Sequence, residues 1–147
     1  MVRIFKASEK DLPKLVPLFD QYRIFYDQSS DPEAAHRFLN ERFRHEECIV
    51  FLAEKEQKAA GFTLLYKTFS SVSMQPFFVL NDLFVIPGYR QNGIGRMLLE
   101  KAKELCISLD YKGLALETAT DNPAQALYEK LGWKKDSHCF HYFWLNQ

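Results

Sequence analysis

The sequence has no excess of either charge: 19 Lys plus Arg stand against 19 Asp plus Glu in 147 residues, and the balance holds in each half of the chain. It therefore has neither the basic stripe of a nucleic-acid binder nor an acidic tail, and no nucleic-acid partner is expected. Cysteine is scarce. Cys48, Cys106 and Cys139 are odd in number and lack metal-ligand spacing, so neither a disulfide framework nor a metal site is expected. They read as reduced core thiols. No apolar run reaches the length of a membrane span, and the N-terminus lacks the pattern of a secretory leader. The expectation is a cytoplasmic protein with no membrane partner. Internal repeats, low-complexity tracts and linkers are also missing. What is present is a 47% hydrophobic chain with 13 Phe, enough for one sizeable core, read as a single domain over 1–147.

The elements follow from periodicity and punctuation. Val2 to Lys6 predicts a first strand. Ser8 and Asp11 have capping-box spacing before a helix over Leu12 to Phe25, with Pro17 as a point of kinking. That helix ends in the aromatic cluster Tyr22, Phe25 and Tyr26, and Asp27 to Ser30 is a polar loop. Asp31 caps a second helix with Pro32 at its first position, running to about His45. Cys48 to Ala53 and Ala60 to Lys67 predict a hairpin around Glu54 to Lys58, and Thr68 to Gln75 a serine-rich connection. A strand over Phe77 to Ile86, a helix from about Arg96 to Leu109 and a strand over Leu114 to Thr118 make a βαβ unit with parallel strands. Asn122 and Pro123 open a helix over Ala124 to Leu131 that ends at Gly132. Trp133 to Asp136 and His138 to Leu145 predict closing strands. The fold class is α/β: one mixed sheet with helices on both faces.

The turn between the Phe77–Ile86 strand and its helix is the informative stretch. It reads Arg90, Gln91, Asn92, Gly93, Ile94, Gly95, Arg96. A helix start leaves its first N–H groups without intrahelical partners, and the dipole makes that end partly positive, so an anion can sit there. Glycines let the backbone approach a ligand, and two arginines offer charge-assisted hydrogen bonds. The other reading is a strand-to-helix turn with permissive glycines and solvated arginines. It is neither a dinucleotide fingerprint nor a P-loop.

Three stretches stand in register: LNDLFV over Leu80 to Val85, RQNGIG over Arg90 to Gly95, and DNPAQALYEKLGW over Asp121 to Trp133. In this order and spacing the chain resembles the GNAT superfamily of acetyl-CoA-dependent N-acetyltransferases. Arg90, Gly93 and Gly95 fit the family's Arg/Gln-x-x-Gly-x-Gly/Ala signature. Asn122, Ala126, Leu127, Tyr128 and the Leu131-Gly132-Trp133 run follow a common version of its later segment. Around LNDLFV the chain is similar to the polyamine (spermidine/spermine) acetyltransferases, in which a glutamate precedes the aspartate. Here that position is Asn81, which has no basic group to offer.

The resemblance implies a GNAT-like acyl-CoA N-acyltransferase fold, a mostly antiparallel sheet with one parallel, splayed strand pair. It implies acetyl-CoA as cofactor, its pyrophosphate on the backbone N–H groups of Arg90, Gln91, Asn92, Gly93, Ile94, Gly95 and Arg96. The pantetheine arm would lie along Leu83, Phe84 and Val85. Asn122 would contact the cofactor or serve only as a helix cap. Tyr128 would protonate the departing thiolate or serve only as a packed helix tyrosine. An amine would attack the thioester directly. Asp82 is the first candidate base and Glu117 the second, with a water chain as competitor. The acceptor is expected to be a small amine or polyamine-like metabolite held by Tyr22, Phe25, Tyr26, Asp82, Glu117 and the Thr68 to Gln75 connection. A protein lysine or N-terminus is the alternative acceptor, and a non-catalytic acyl-CoA-binding domain the alternative class. His138 and His141 read as polar strand positions, not ligands. The aromatic end FHYFWL offers apolar surface for a homodimer.

Overall fold

Five strands form one sheet in the order β1-β2-β3-β4-β5 in the computed structural model, which describes residues 1–146. They are β1 Val2–Lys6, β2 Ile49–Lys55, β3 Lys58–Ser70, β4 Gln75–Val85 and β5 Leu114–Ala115. The first four are antiparallel to their neighbours, and β5 runs parallel to β4. Glu56 and Gln57 close the β2–β3 hairpin with φ of 53° and 67°, the two left-handed residues that a tight hairpin turn requires. The chain divides into two compact units, one covering Met1–Glu117 and the other beginning at Thr118. The expected domain boundary, Gln147, lies outside the described residues.

Alternation assigns the sheet's faces. Val50 and Leu52 of β2, Phe62 and Leu64 of β3 and Phe84 of β4 share a core with α1 (Leu12–Phe25) and α2 (Pro32–Arg44), to which Leu15, Phe19, Ala35 and Leu39 contribute. The intervening residues, Phe51, Ala53, Thr63 and Leu65, point to the other face, which α3 (Ile94–Ser108) covers. Both caps foreseen for the first two helices are present. The Ser8 backbone N–H donates to Asp11 at 2.9 Å, and the Asp31 carboxylate accepts from the Ala34 N–H at 3.1 Å.

Several boundaries differ from those read in the sequence. The serine-rich Thr68 to Gln75 stretch is mostly hairpin: Thr68, Phe69 and Ser70 pair with Phe77, Pro76 and Gln75. Only residues 71–74 turn. α3 starts at Ile94, two residues early, because Gly93 takes the cap position at φ 78°. The buried stripe is Ile94, Leu98, Leu99, Ala102 and Cys106, with Met97 38% and Leu109 45% exposed. β5 is two residues long, not five, for it pairs with β4 only at Phe78↔Leu114 and Val79↔Ala115.

The α1–α2 loop is fastened by a residue that periodicity does not flag. Asp20, on α1, is buried, and its carboxylate accepts from the Ser30 hydroxyl at 2.7 Å and the Asp31 N–H at 2.8 Å. These bonds, that of Ser30 first, hold its pKa below the usual range. A depressed carboxylate stabilises the fold above its unfolded pKa near 3.9, and that contribution is lost as pH falls through the folded value. Asp20→Ala should destabilise the protein by about 1–3 kcal/mol at neutral pH by leaving buried donors unmet. Thermal melts should show the deficit shrinking as the pH is taken down through the carboxylate range.

In the second unit, α4 spans Gln125–Lys130 with Ala124 as its cap. Asn122 lies two residues before that cap and accepts the Ala124 N–H at 2.9 Å through its side chain. Gly132 follows the helix at φ 91°, the left-handed position that a helix end favours. The closing strands expected over Trp133 to Asp136 and His138 to Leu145 are absent among the described residues, which form neither helix nor strand there. A strand exists only through its ladder, and no strand of the described residues pairs with this segment. Its Phe140, Tyr142, Phe143, Trp144 and Leu145 side chains are exposed.

Candidate active site

The site is set by one extra residue. Leu64 pairs with Asp82 and Leu65 with Leu80, so Asn81 stands unpaired as a bulge in β4. Without it, Leu80 and Asp82 would share a face, as residues i and i+2 of a strand do. A one-residue slip exchanges the faces. Leu80 therefore lies with Leu65 on the α3 side, and Asp82 and Phe84 lie with Leu64 and Phe62 on the α1/α2 side. Beyond Val79 no strand pairs with the outer edge of β4 among the described residues.

Two neighbours fix the bulged strand from β3. The buried Thr63 hydroxyl donates to the Asp82 carbonyl at 2.7 Å. Gly61 admits the other contact: a Cβ there would lie 2.7 Å from the Phe84 carbonyl oxygen and 3.2 Å from the Val85 Cα. Any side chain at Gly61 would push against the backbone of Phe84 and Val85.

Asp82 is only 4% exposed. Burial pushes its carboxyl above the ordinary carboxylate range, while hydrogen bonds from the Asn81 amide and the Tyr22 hydroxyl oppose that rise. The Asn81 amide donates to it at 2.8 Å. Nearby, burial lifts the Tyr66 phenol to about 12, with the Asp82 charge adding to the shift. Burial likewise lifts the Cys48 thiol to about 11, with Arg42 opposing and Asp82 and Glu47 adding. Tyr66 lines a cavity of about 600 Å³ whose walls include Phe38, Arg42, Glu46 and Glu47. Arg42 is held there by Glu47 at 2.9 Å and lies over the Phe38 ring at 4.6 Å.

The predicted acceptor residues divide between two places. Tyr22 packs edge-on against Phe62 and Phe84, with ring centroids at 5.7 and 6.1 Å, and Tyr26 packs on Tyr22 at 5.0 Å. Phe25 lies beyond, against Tyr26 at 5.2 Å. Phe69, from the expected connection, lines the α2-side cavity instead. Glu117 follows β5 rather than lying on it, since the ladder ends at Ala115, and it is exposed.

The turn after β4 has the form that its glycines allow. Gln91 and Gly93 are left-handed at φ 65° and 78°. Among the described residues, no acceptor of the chain receives the N–H groups of Gln91, Asn92, Gly93, Ile94, Gly95 or Arg96, whereas that of Met97 meets the Gly93 carbonyl at 3.0 Å. Arg90 is placed on the strand edge: its Nε donates to the Val85 carbonyl at 2.8 Å, and its guanidinium lies over Phe84 at 5.7 Å and Phe25 at 5.9 Å. Leu83 and Val85 are half-buried, and Phe84 is buried. In the second unit Tyr128 is half-buried, its ring 5.9 Å from that of Trp133.

Sequence reasoning did not find the bulge or the cavity. Asn81 was the available sign, because asparagine is depleted in strand interiors. The cavity had none, since its walls come from two separate stretches of chain, α2 with the turn after it and β3.

The unpaired β4 edge ends at a glycine turn whose open amides can receive an anion. A profile of the acetyltransferase (GNAT) family matches residues 13–133, and the chain belongs to that family. It is 42% identical over 142 residues to the uncharacterized N-acetyltransferase YhfO of Bacillus subtilis (strain 168), covering 96% of this chain and 95% of that one. The crystal structure of a probable acetyltransferase superposes with a TM-score of 0.92 at 34% identity, over 99% of this chain and 98% of the other. A likeness of fold alone extends to the aminoglycoside N-acetyltransferase AAC(6')-Iy in complex with CoA, with a TM-score of 0.81 at 19% identity over 97% and 94% of the two chains. The protein is an acyltransferase enzyme. No helix among the described residues is long and apolar enough to cross a membrane.

Proposed function

We propose that the chain transfers an acetyl group from acetyl-CoA to a primary amine by direct attack in a ternary complex. The acceptor in this reading is a small amine or polyamine-like metabolite. One observation carries it: six consecutive amides, Gln91 to Arg96, have no acceptor in the chain and lie at the positive end of a 15-residue helix, where a diphosphate is held best. The CoA bound to the structurally similar aminoglycoside enzyme favours the same ligand here. When bound, acetyl-CoA supplies the acyl thioester. Gln91, Asn92, Gly93, Ile94, Gly95 and Arg96 hold its diphosphate through their N–H groups, with the charge of Arg96 adding to the hold and Arg90 at the rim. The open edge at Leu83, Phe84 and Val85 receives the pantetheine arm as an added strand.

The amine arrives protonated, because an alkyl amine with a pKa near 10.4 is neutral in only on the order of one molecule in a thousand at pH 7. Asp82 takes that proton. The cavity beside Tyr66 is the acceptor's place in this reading, and Tyr22, Phe25 and Tyr26 wall the strand edge. The motif around Asn122 and Tyr128 supports a cofactor contact for the first and the role of thiolate-protonating acid for the second. A cytoplasmic homodimer belongs to the same reading, with the exposed apolar residues of 140–145 as its surface.

Calorimetry with acetyl-CoA tests the cradle. The wild type should bind, and Gly93→Val should weaken binding at least about tenfold, because a β-branched residue resists φ near 78° and crowds the diphosphate. Equal affinity for both proteins would overturn the reading. An assay of released thiol across spermidine, amino acids, aminoglycosides and lysine peptides then identifies the acceptor.

A further inference from the structure

Tyr22 was read in the sequence as one aromatic wall among three, yet its hydroxyl has a more particular place. It donates to the carbonyl of Asn81 at 3.3 Å, and Asn81 is the unpaired residue of the β4 bulge. The side-chain amide of the same Asn81 donates to the Asp82 carboxylate at 2.8 Å. The Tyr22 ring is held against Phe62 and Phe84, which flank that carboxylate on β3 and β4. One helix residue thus grips the backbone of the bulge, and the bulge grips the carboxylate.

We propose that Tyr22 is a positioning residue: its hydroxyl pins the bulge at Asn81 and so fixes where, and in which ionisation state, the Asp82 carboxylate stands. The proposal rests on the reading of Asp82 as proton acceptor only for its catalytic consequence, because the geometric link exists without it. Tyr22 from α1 and Asn81 from the bulge act on Asp82 directly; its charge reaches Tyr66 of β3 and Cys48 before β2, on which Arg42 of α2 and Glu47 beyond its end also act. Tyr66 and Cys48 are neutral and stay so through the physiological range. Arg42 is neutralised by its bond to Glu47 at 2.9 Å. The Asn81 amide is left as the donor that favours the charged carboxylate, and the Tyr22 hydroxyl holds the residue that carries it.

Carbon-13 NMR titration of the aspartate carboxyls, with Asp82→Asn to assign the signal, reads this directly and needs no acceptor. In Tyr22→Phe the midpoint should move to higher pH. At the wild-type midpoint the ionised fraction should drop from one half to roughly one quarter or less, the sign expected when a donor to a carboxylate is lost. The acidic limb of the pH–rate profile should move with it. An unmoved midpoint, or one that moves down, overturns the proposal. If the midpoint moves but Asp82→Asn retains the wild-type rate, the positioning role stands and the assignment of Asp82 as base fails.

Discussion

Asp82→Asn should lower kcat/KM by about 10²–10⁴-fold, the usual worth of a general base, and should abolish the acidic limb of the pH profile. The carboxylate suits the task because burial pushes its pKa above that of a free aspartate, toward the pH at which a base works best. The same shift predicts the effect on stability. A carboxyl whose folded pKa exceeds its unfolded value near 3.9 costs the fold nothing below that value and an increasing amount as pH rises through the folded one. Asparagine keeps the shape and removes the charge, so the variant's Tm at pH 8 should equal or exceed that of the wild type. A slow but sturdy enzyme is the expected result. A variant that is slow and unstable would trace the lost rate to damaged structure, and one with wild-type rate would move the proton to water or to another group.

Tyr128→Phe should cost about 10²–10⁴-fold in kcat if its hydroxyl protonates the leaving thiolate. Affinity for acetyl-CoA should be nearly intact, because the grip on the diphosphate is assigned to Gln91 through Arg96. The phenyl ring keeps its neighbour Trp133, 5.9 Å away. Single-turnover kinetics separate the cases: a loss in the chemical step supports the acid, and an unchanged step assigns protonation elsewhere.

The elements with strong periodic patterns were legible in the sequence. α1 and α2, with their Asp11 and Asp31 caps, lie where the apolar spacing put them. The three motif stretches sufficed to name the family that the profile match also gives. Pairing was harder to read, because it depends on the neighbouring strand. Thr68 to Gln75 looked like a loop because of its serines, yet Thr68 and Phe69 had partners in Phe77 and Pro76. His138 to Leu145 looked like a strand because of its aromatics, and among the described residues it forms neither helix nor strand. Candidate site residues could be named where chemistry marks them, as at Asp82 and Gly93. They were missed where position alone matters, as at Gly61, whose hydrogen atom faces the Phe84 carbonyl, and at Asp20, whose two bonds close a loop.

The unpaired Asn81 has a consequence for how this enzyme can diverge. Substitutions around it alter one side chain at a time, but an insertion or deletion between Phe78 and Val85 would turn the strand inside out downstream, sending Asp82 and Phe84 toward α3 and Leu83 toward α1. Across descendants of this chain, the count of residues in that short interval should be more constant than their identities.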